Sequence, residues 1–135
     1  MAIALKIVTP DAVAFDETVD SVILPTAEGQ MGVLPGHIPV LAQIEAGQLR
    51  VARDGGTESL AIDKGFAEVC ADTVAILTEA AIDVADINLD QVKEAKERAK
   101  KAIEEADDSI DPAELERLEA TVRFALAQEI TKASK

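Results

Sequence analysis

The chain changes texture once, near residue 87, and that change limits the folds open to it. Before it, short β-branched and aliphatic runs alternate with turn residues; after it, Ala, Glu, Lys and Leu recur at helical spacing. The runs at 5–9, 13–15, 19–24, 48–53, 57–62, 66–70 and 74–78 read as strands, being rich in residues that suit a pleated, half-buried surface and ending in turn formers. Asp54-Gly55-Gly56 is a hairpin turn between two of them, and Ala71-Asp72-Thr73 is a second tight connection. None of these runs is followed by a helix, so a βαβ sheet is not expected, whereas many short strands at close spacing point to an antiparallel β-sandwich over residues 1–87. With three Phe and neither Trp nor Tyr, its core has to be built from Val, Ile, Leu and Ala. Cys70, in mid-strand, is expected to be a small buried or half-buried residue.

Residues 88–135 read as an antiparallel two-helix hairpin, which makes the fold class α+β in two segments. Asn88, with Gln91 three residues on, marks a helix start. Leu89, Val92, Ala95, Ala99, Ala102, Ile103 and Ala106 then form one stripe. Asp107-Asp108-Ser109 breaks the helix, and Asp111-Pro112-Ala113-Glu114 starts the next with Asp as cap and Pro in the first turn. Leu115, Leu118, Val122 and Ala125 lie on one face of that second helix; Ala120, Phe124, Ala127 and Ile130 lie on another. An Ala-rich stripe permits close approach but buries little area. The hairpin is therefore expected to lean on the sandwich or on a partner. Glu97 with Lys101 and Glu119 with Arg123 are spaced for i,i+4 ion pairs.

The formal net charge is −13, a field that repels nucleic-acid phosphates and anionic lipid surfaces. Most of the excess lies before residue 88, where Lys6, Arg50, Arg53 and Lys64 face fourteen Asp and Glu. One cysteine rules out an intrachain disulfide framework and a multi-Cys metal site. No signal peptide and no membrane-spanning run is expected, so no direct membrane insertion either. His37 is the single histidine, and neither a metal set nor a nucleophile–base arrangement can be assembled around it. It reads as a structural or interface residue, and no catalytic residue is assigned.

The stretch 28–41 holds three Gly and two Pro. It fails as a phosphate loop because no Lys-Ser/Thr follows the glycines; by composition it reads as turns between strands. Its pattern, Gly29, Gly32, Val33, Leu34, Pro35, Gly36, His37, Pro39 and Leu41, closely resembles the signature of the epsilon-subunit family of F-type ATP synthases. The opening at 5–11, the strand at 47–51, the strand at 65–69 and the order of sandwich then hairpin resemble that family too. The resemblance implies a non-catalytic central-stalk rotor subunit that couples c-ring rotation, driven by protons or sodium ions, to the catalytic head. It implies that Glu28, Gly29, Gln30 and Met31 face the c-ring, and that Pro35, Gly36 and His37 lie on the gamma side. It places the chain peripherally, on the cytoplasmic side of the plasma membrane, with the helical tail reaching the catalytic alpha/beta head.

In many members of that family the hairpin binds ATP through Ile or Leu, Asp, two variable residues, Arg and Ala. Here Leu89 and Asp90 match, but Lys93 stands for Arg and Glu94 for Ala. Lysine keeps the charge and loses the guanidinium fork, and Glu94 sets a like charge beside any phosphate. ATP binding is expected to be weakened or absent. Neither helix is net basic, so solvated charged faces are expected rather than a strong electrostatic brake. The competing readings are an ATP-sensing inhibitory switch, a free-standing adaptor, and a small enzyme, the last disfavoured by the lack of any convergent catalytic set.

Overall fold

The computed structural model describes residues 2–133. Ten strands form one folded sheet: β1 (Ile3–Val8), β2 (Val13–Val19), β3 (Ser21–Thr26), β4 (Gly29–Val33), β5 (His37–Ile44), β6 (Gly47–Arg53), β7 (Gly56–Ile62), β8 (Gly65–Ala71), β9 (Thr73–Thr78) and β10 (Ala81–Asp83). A 3-10 turn, Val84–Asp86, leads into α1 (Leu89–Glu105) and α2 (Pro112–Ala133).

The strand order is β10-β7-β6-β3-β5-β8-β9-β1-β2, with β4 added on β3. Between β3 and β5 a single pair, Thr26 with Ile44, is in register. The sheet folds over at that corner, so β6, β7 and β3 face β5, β8, β9 and β1. Alternation sorts the side chains: Ile3, Leu5 and Ile7 of β1, Val69 of β8 and Val74 and Ile76 of β9 point inward and are buried with Leu24, Ile44, Leu49 and Ile62. The core is aliphatic, with Phe15 as its one aromatic member. The strand pairs are antiparallel except β1 with β9, which run parallel, because the first strand returns to the sheet beside the last long one.

Residues 28–41 are more regular than a pair of turns. Gly29–Val33 and His37–Ile44 are both strands. Glycine and proline content hid them, but β4 lies off the main strand path and pairs, among the described residues, with β3, and β5 places Pro39 at a register irregularity between His37 and Val40, where proline's missing donor is tolerated. Cys70 is exposed, not buried. It pairs with Thr73 beside the turn, and the alternation that buries Val69 turns Cys70 outward.

Both helix starts follow the local rules. The Asn88 side chain accepts hydrogen bonds from Asp90 N and Gln91 N, and that of Asp111 accepts one from Ala113 N, satisfying donors that have no intrahelical partner. Helix α2 lies on the outer face of β6 and β7. Ala125 and Ala127 meet Ala61, Val84, Ile87 and Val92 in a second apolar cluster, separate from the sandwich core, with Phe124, Leu89, Ala46 and Ile82 around it. The surface that the hairpin leans on is thus the sandwich. Arg123 does not pair with Glu119; it reaches Asp63, sixty residues away. No helix among the described residues is long and apolar enough to cross a membrane.

Candidate functional site: a bare sheet face between two turns

The hairpin covers one outer face of the sandwich. The opposite outer face, on β5, β8 and β9, is not covered by the hairpin, and among the described residues it carries large exposed apolar side chains beside Lys6, Gln43 and Glu68. Leu41 is 70% exposed, Phe66 55%, Leu77 60% and Ile38 77%. The register sets two of these, Phe66 and Leu77, side by side: Gln43 pairs with Phe66, Phe66 with Leu77, and Leu77 with Val8. In the next row Leu41 pairs with Glu68, Glu68 with Ala75, and Ala75 with Lys6. A shallow pocket of about 560 Å³ opens at the Phe66–Leu77 end, walled by Val8, Pro10 and Ile44 and rimmed by Lys64 and Glu79. Exposed apolar side chains grouped on one rigid face mark a docking surface; scattered ones do not.

The close packing of β8 on β9 sets this face. At Gly65 a Cβ would lie 1.9 Å from the Leu77 carbonyl oxygen, so no side chain fits, and the absence of one lets the two strands carry Phe66 and Leu77 edge to edge.

Each end of the face carries a turn that the sequence singles out. At one end, Leu34, Pro35 and Gly36 link β4 to β5. Gly36 has φ of 83°, a conformation open to glycine without cost. Its N–H donates to both the Ala71 carbonyl (3.1 Å) and the Asp72 carboxylate (3.0 Å), which ties this turn to the β8–β9 turn. Pro35 is half-buried and Gly36 exposed. His37 begins β5 and pairs with Ala71; the expectation for its side chain lies outside the described residues.

At the other end is the tip of β3 and β4. Ala27 and Glu28 form the turn, and Glu28 N donates to Thr26 Oγ1 at 3.3 Å, while that hydroxyl donates to the Gly29 carbonyl. Ala27 N bonds to the Gln43 carbonyl and Glu45 N to the Pro25 carbonyl, so the tip is braced against the end of β5. Glu28, Gly29 and Gln30 are exposed. Met31 is not: it packs partly buried against the sandwich core, since its register partner Leu24 faces inward. The two expected contact sets therefore sit at opposite ends of β4, and the apolar row between them, Phe66 and Leu77, went unnoticed in the sequence. Strict alternation with the small buried Ala67 and Ile76 was the available signal.

Leu89, Asp90 and Lys93 come together on the first turn of α1. Asp90 and Lys93 are exposed and Leu89 packs half-buried in the second cluster. Glu94 is exposed beside them. A groove of about 610 Å³ runs between the helices, lined by Lys100, Ile103, Val122, Arg123, Leu126 and Ile130 among others. It does not include Leu89, Asp90 or Lys93, since Lys100 begins seven residues further on, about 10 Å along the axis.

Two ion pairs join hairpin and sandwich among the described residues, Lys64 with Glu116 and the more buried Asp63 with Arg123. Arg123 Nε donates to Asp63 Oδ1 at 2.7 Å and Nη2 to Oδ2 at 3.3 Å. The Asp63 side chain is 6% exposed and that of Arg123 28%. Hydrogen bonding to Asp63 raises the Arg123 pKa above its ordinary value, against the opposing effect of burial. Among the described residues, no group of three or more His, Cys, Asp or Glu could hold a metal ion.

Comparison with known proteins agrees with this architecture. Residues 2–84 match the family described as "ATP synthase, Delta/Epsilon chain, beta-sandwich domain". The chain is 39% identical over 124 residues to the ATP synthase epsilon chain of Nitratidesulfovibrio vulgaris, covering 92% of this chain and 90% of that one. It is 39% identical over 126 residues to that of Halalkalibacterium halodurans, covering 91% and 95%. The match to the epsilon chain of Synechococcus sp. is 48% identical over 81 residues, 60% of each chain. Among solved structures, a chain in the Euglena gracilis mitochondrial ATP synthase (OSCP/F1/c-ring) superposes with a TM-score of 0.74 at 28% identity, covering 95% of this chain and 79% of that one. A chain in the central stalk and c-ring of the Tetrahymena thermophila enzyme shares the fold, at 14% identity and a TM-score of 0.62. With the sandwich matched across more than half its length and full-length relatives well above 30% identity, the chain belongs to the epsilon-chain family of F-type ATP synthases.

Proposed function

We propose that the chain is a non-catalytic central-stalk subunit that couples rotation of an ion-translocating c-ring to the catalytic head of an F-type ATP synthase. The observation that carries this reading is the bare apolar face of β5, β8 and β9 on a sandwich whose other outer face its own hairpin covers. A rotor part must transmit torque without deforming, and a sheet packed on an aliphatic core, with its turns tied by hydrogen bonds, gives that rigidity. The gamma subunit is the partner assigned to the apolar face and to the Pro35–Gly36 turn at its end. The c-ring is assigned to the polar tip, where Glu28, Gly29 and Gln30 are exposed and suit the polar loops of a ring of helices. The chain works peripherally, on the cytoplasmic side of the plasma membrane, and the hairpin faces the catalytic alpha/beta head.

The test is reconstitution. Stalk complexes stripped of this subunit are recombined with the full chain and with residues 1–87, and ion-driven ATP synthesis and ATP hydrolysis are both read. Restored synthesis with the full chain supports the rotor role. Failure of the full chain to associate refutes it. Inhibition of hydrolysis by the full chain alone would assign a brake to the hairpin.

A second reading, an ATP-sensing hairpin, draws on Asp90 and Lys93 sharing the first turn of α1. Exposed Glu94 beside them opposes an anion there, and the interhelical groove lies elsewhere. Weak or absent ATP binding is the reading kept.

A further inference from the structure

The start of β5 is irregularly paired. Pro35 and Pro39 bracket it, and neither has an N–H to donate. His37 pairs with Ala71, and the register then shifts before Val40 pairs with Val69. A strand end laddered this sparsely depends on other ties to keep one conformation.

Those ties come from the β8–β9 turn. Gly36, with φ of 83°, donates its N–H to two acceptors of that turn at once, the Ala71 carbonyl at 3.1 Å and Asp72 Oδ1 at 3.0 Å. Ala71 itself has φ of 52°, a conformation uncommon for a residue with a Cβ and kept only where the surroundings enforce it. The turn is braced from behind. The Asp72 carbonyl accepts from Ala4 N of β1 at 2.8 Å, and Thr73 Oγ1 donates to the Cys70 carbonyl at 3.0 Å. The Asp72 carboxylate is thus offered from a fixed base, and a hydrogen bond to a carboxylate is stronger than one to a neutral carbonyl. What this tie holds in place is apolar: Leu34 and Ile38, two residues before and two after Gly36, are 66% and 77% exposed.

We propose that Asp72 is a positioning residue for the gamma-facing end of the sandwich: its carboxylate fixes the turn at 34–36, so that Leu34 and Ile38 are set for docking before the partner arrives. Asp72 acts through Gly36 and does not itself have to touch gamma. The gain is pre-organisation, since a turn already held in its docked conformation loses less freedom on binding. The inference rests on the assignment of gamma to this end of the face.

The test uses the full chain. Asp72 is exposed and lies outside the left-handed region, so its replacement leaves folding intact, with thermal melting as the control. In Asp72→Ala, hydrogen exchange of the Gly36 amide, followed by NMR, is expected to speed up about tenfold. Kd for purified gamma subunit, by calorimetry, is expected to rise about tenfold as well. Asp72→Asn keeps an acceptor oxygen at the same place and is expected to stay within about threefold of the natural chain in both readings. Leu34→Ala is expected to weaken gamma binding in the natural chain and much less in Asp72→Ala, where the turn that aims Leu34 is already loose. Unchanged Gly36 exchange in Asp72→Ala overturns the proposal, and so does faster exchange at unchanged Kd. Equal losses in Asp72→Asn and Asp72→Ala overturn it too, because gamma would then be reading the charge and not the turn. Additive effects of Leu34→Ala and Asp72→Ala do the same. In each of these cases gamma binding by the natural chain, lowered by Phe66→Ser, leaves the docking assignment standing. A natural chain that does not bind gamma removes the assignment, and the proposal with it.

Discussion

Replacing Phe66 by Ser tests the docking face directly. Phe66 is 55% exposed; for an aromatic side chain of about 200 Å² that leaves roughly 110 Å² for a partner to cover. At about 25 cal/mol per Å² this area stabilises a complex by about 2.7 kcal/mol, which corresponds to roughly a hundredfold in Kd. The same change has little effect on folding, because alternation turns Phe66 away from the core while its neighbour Ala67 is fully buried; surface replacements of this kind cost about 0.5 kcal/mol or less. The assay is titration of the chain against purified gamma subunit by calorimetry, with thermal melting of the isolated chain as the folding control. Leu77→Ser, one strand over in the same row, is expected to weaken binding similarly and to be non-additive with Phe66→Ser, since one partner surface covers both. An unchanged Kd in both variants, at unchanged melting temperature, would refute the assignment of gamma to this face.

Three further outcomes are expected. Gly65→Ala forces a methyl group against the Leu77 carbonyl and must push β8 off β9; a loss of about 3 kcal/mol in a chain of 135 residues lowers the melting temperature by roughly 10 °C, read by calorimetry. Glu28→Lys reverses the charge at the exposed tip without touching the core, so it should reduce ion-driven ATP synthesis in reconstituted complexes while leaving gamma binding intact; loss of gamma binding as well would misplace the tip. Millimolar ATP should give no thermal shift in the natural chain, and Lys93→Arg with Glu94→Ala should introduce one; a clear shift in the natural chain, abolished by Asp90→Ala, would restore the ATP-sensing reading.

What was legible in the sequence was what neighbours along the chain decide. The switch from strands to helices near residue 87, the Asp54–Gly55 turn, and the caps at Asn88 and Asp111 each depend on groups within a few residues of one another, and each is present. The strands β4 and β5 were missed because their Gly and Pro residues speak against local strand propensity; pairing with β3 and β8 overrode it. Partners across the fold could not be read at all. Glu119 stands four residues from Arg123, yet the structure gives Arg123 to Asp63, because α2 lies on the sandwich with that face inward and a buried carboxylate offers a stronger partner than a solvated one. The exposed row of Phe66 and Leu77 belongs to the same class: alternation determines that these side chains share a face, but only the fold decides that the hairpin covers the other one.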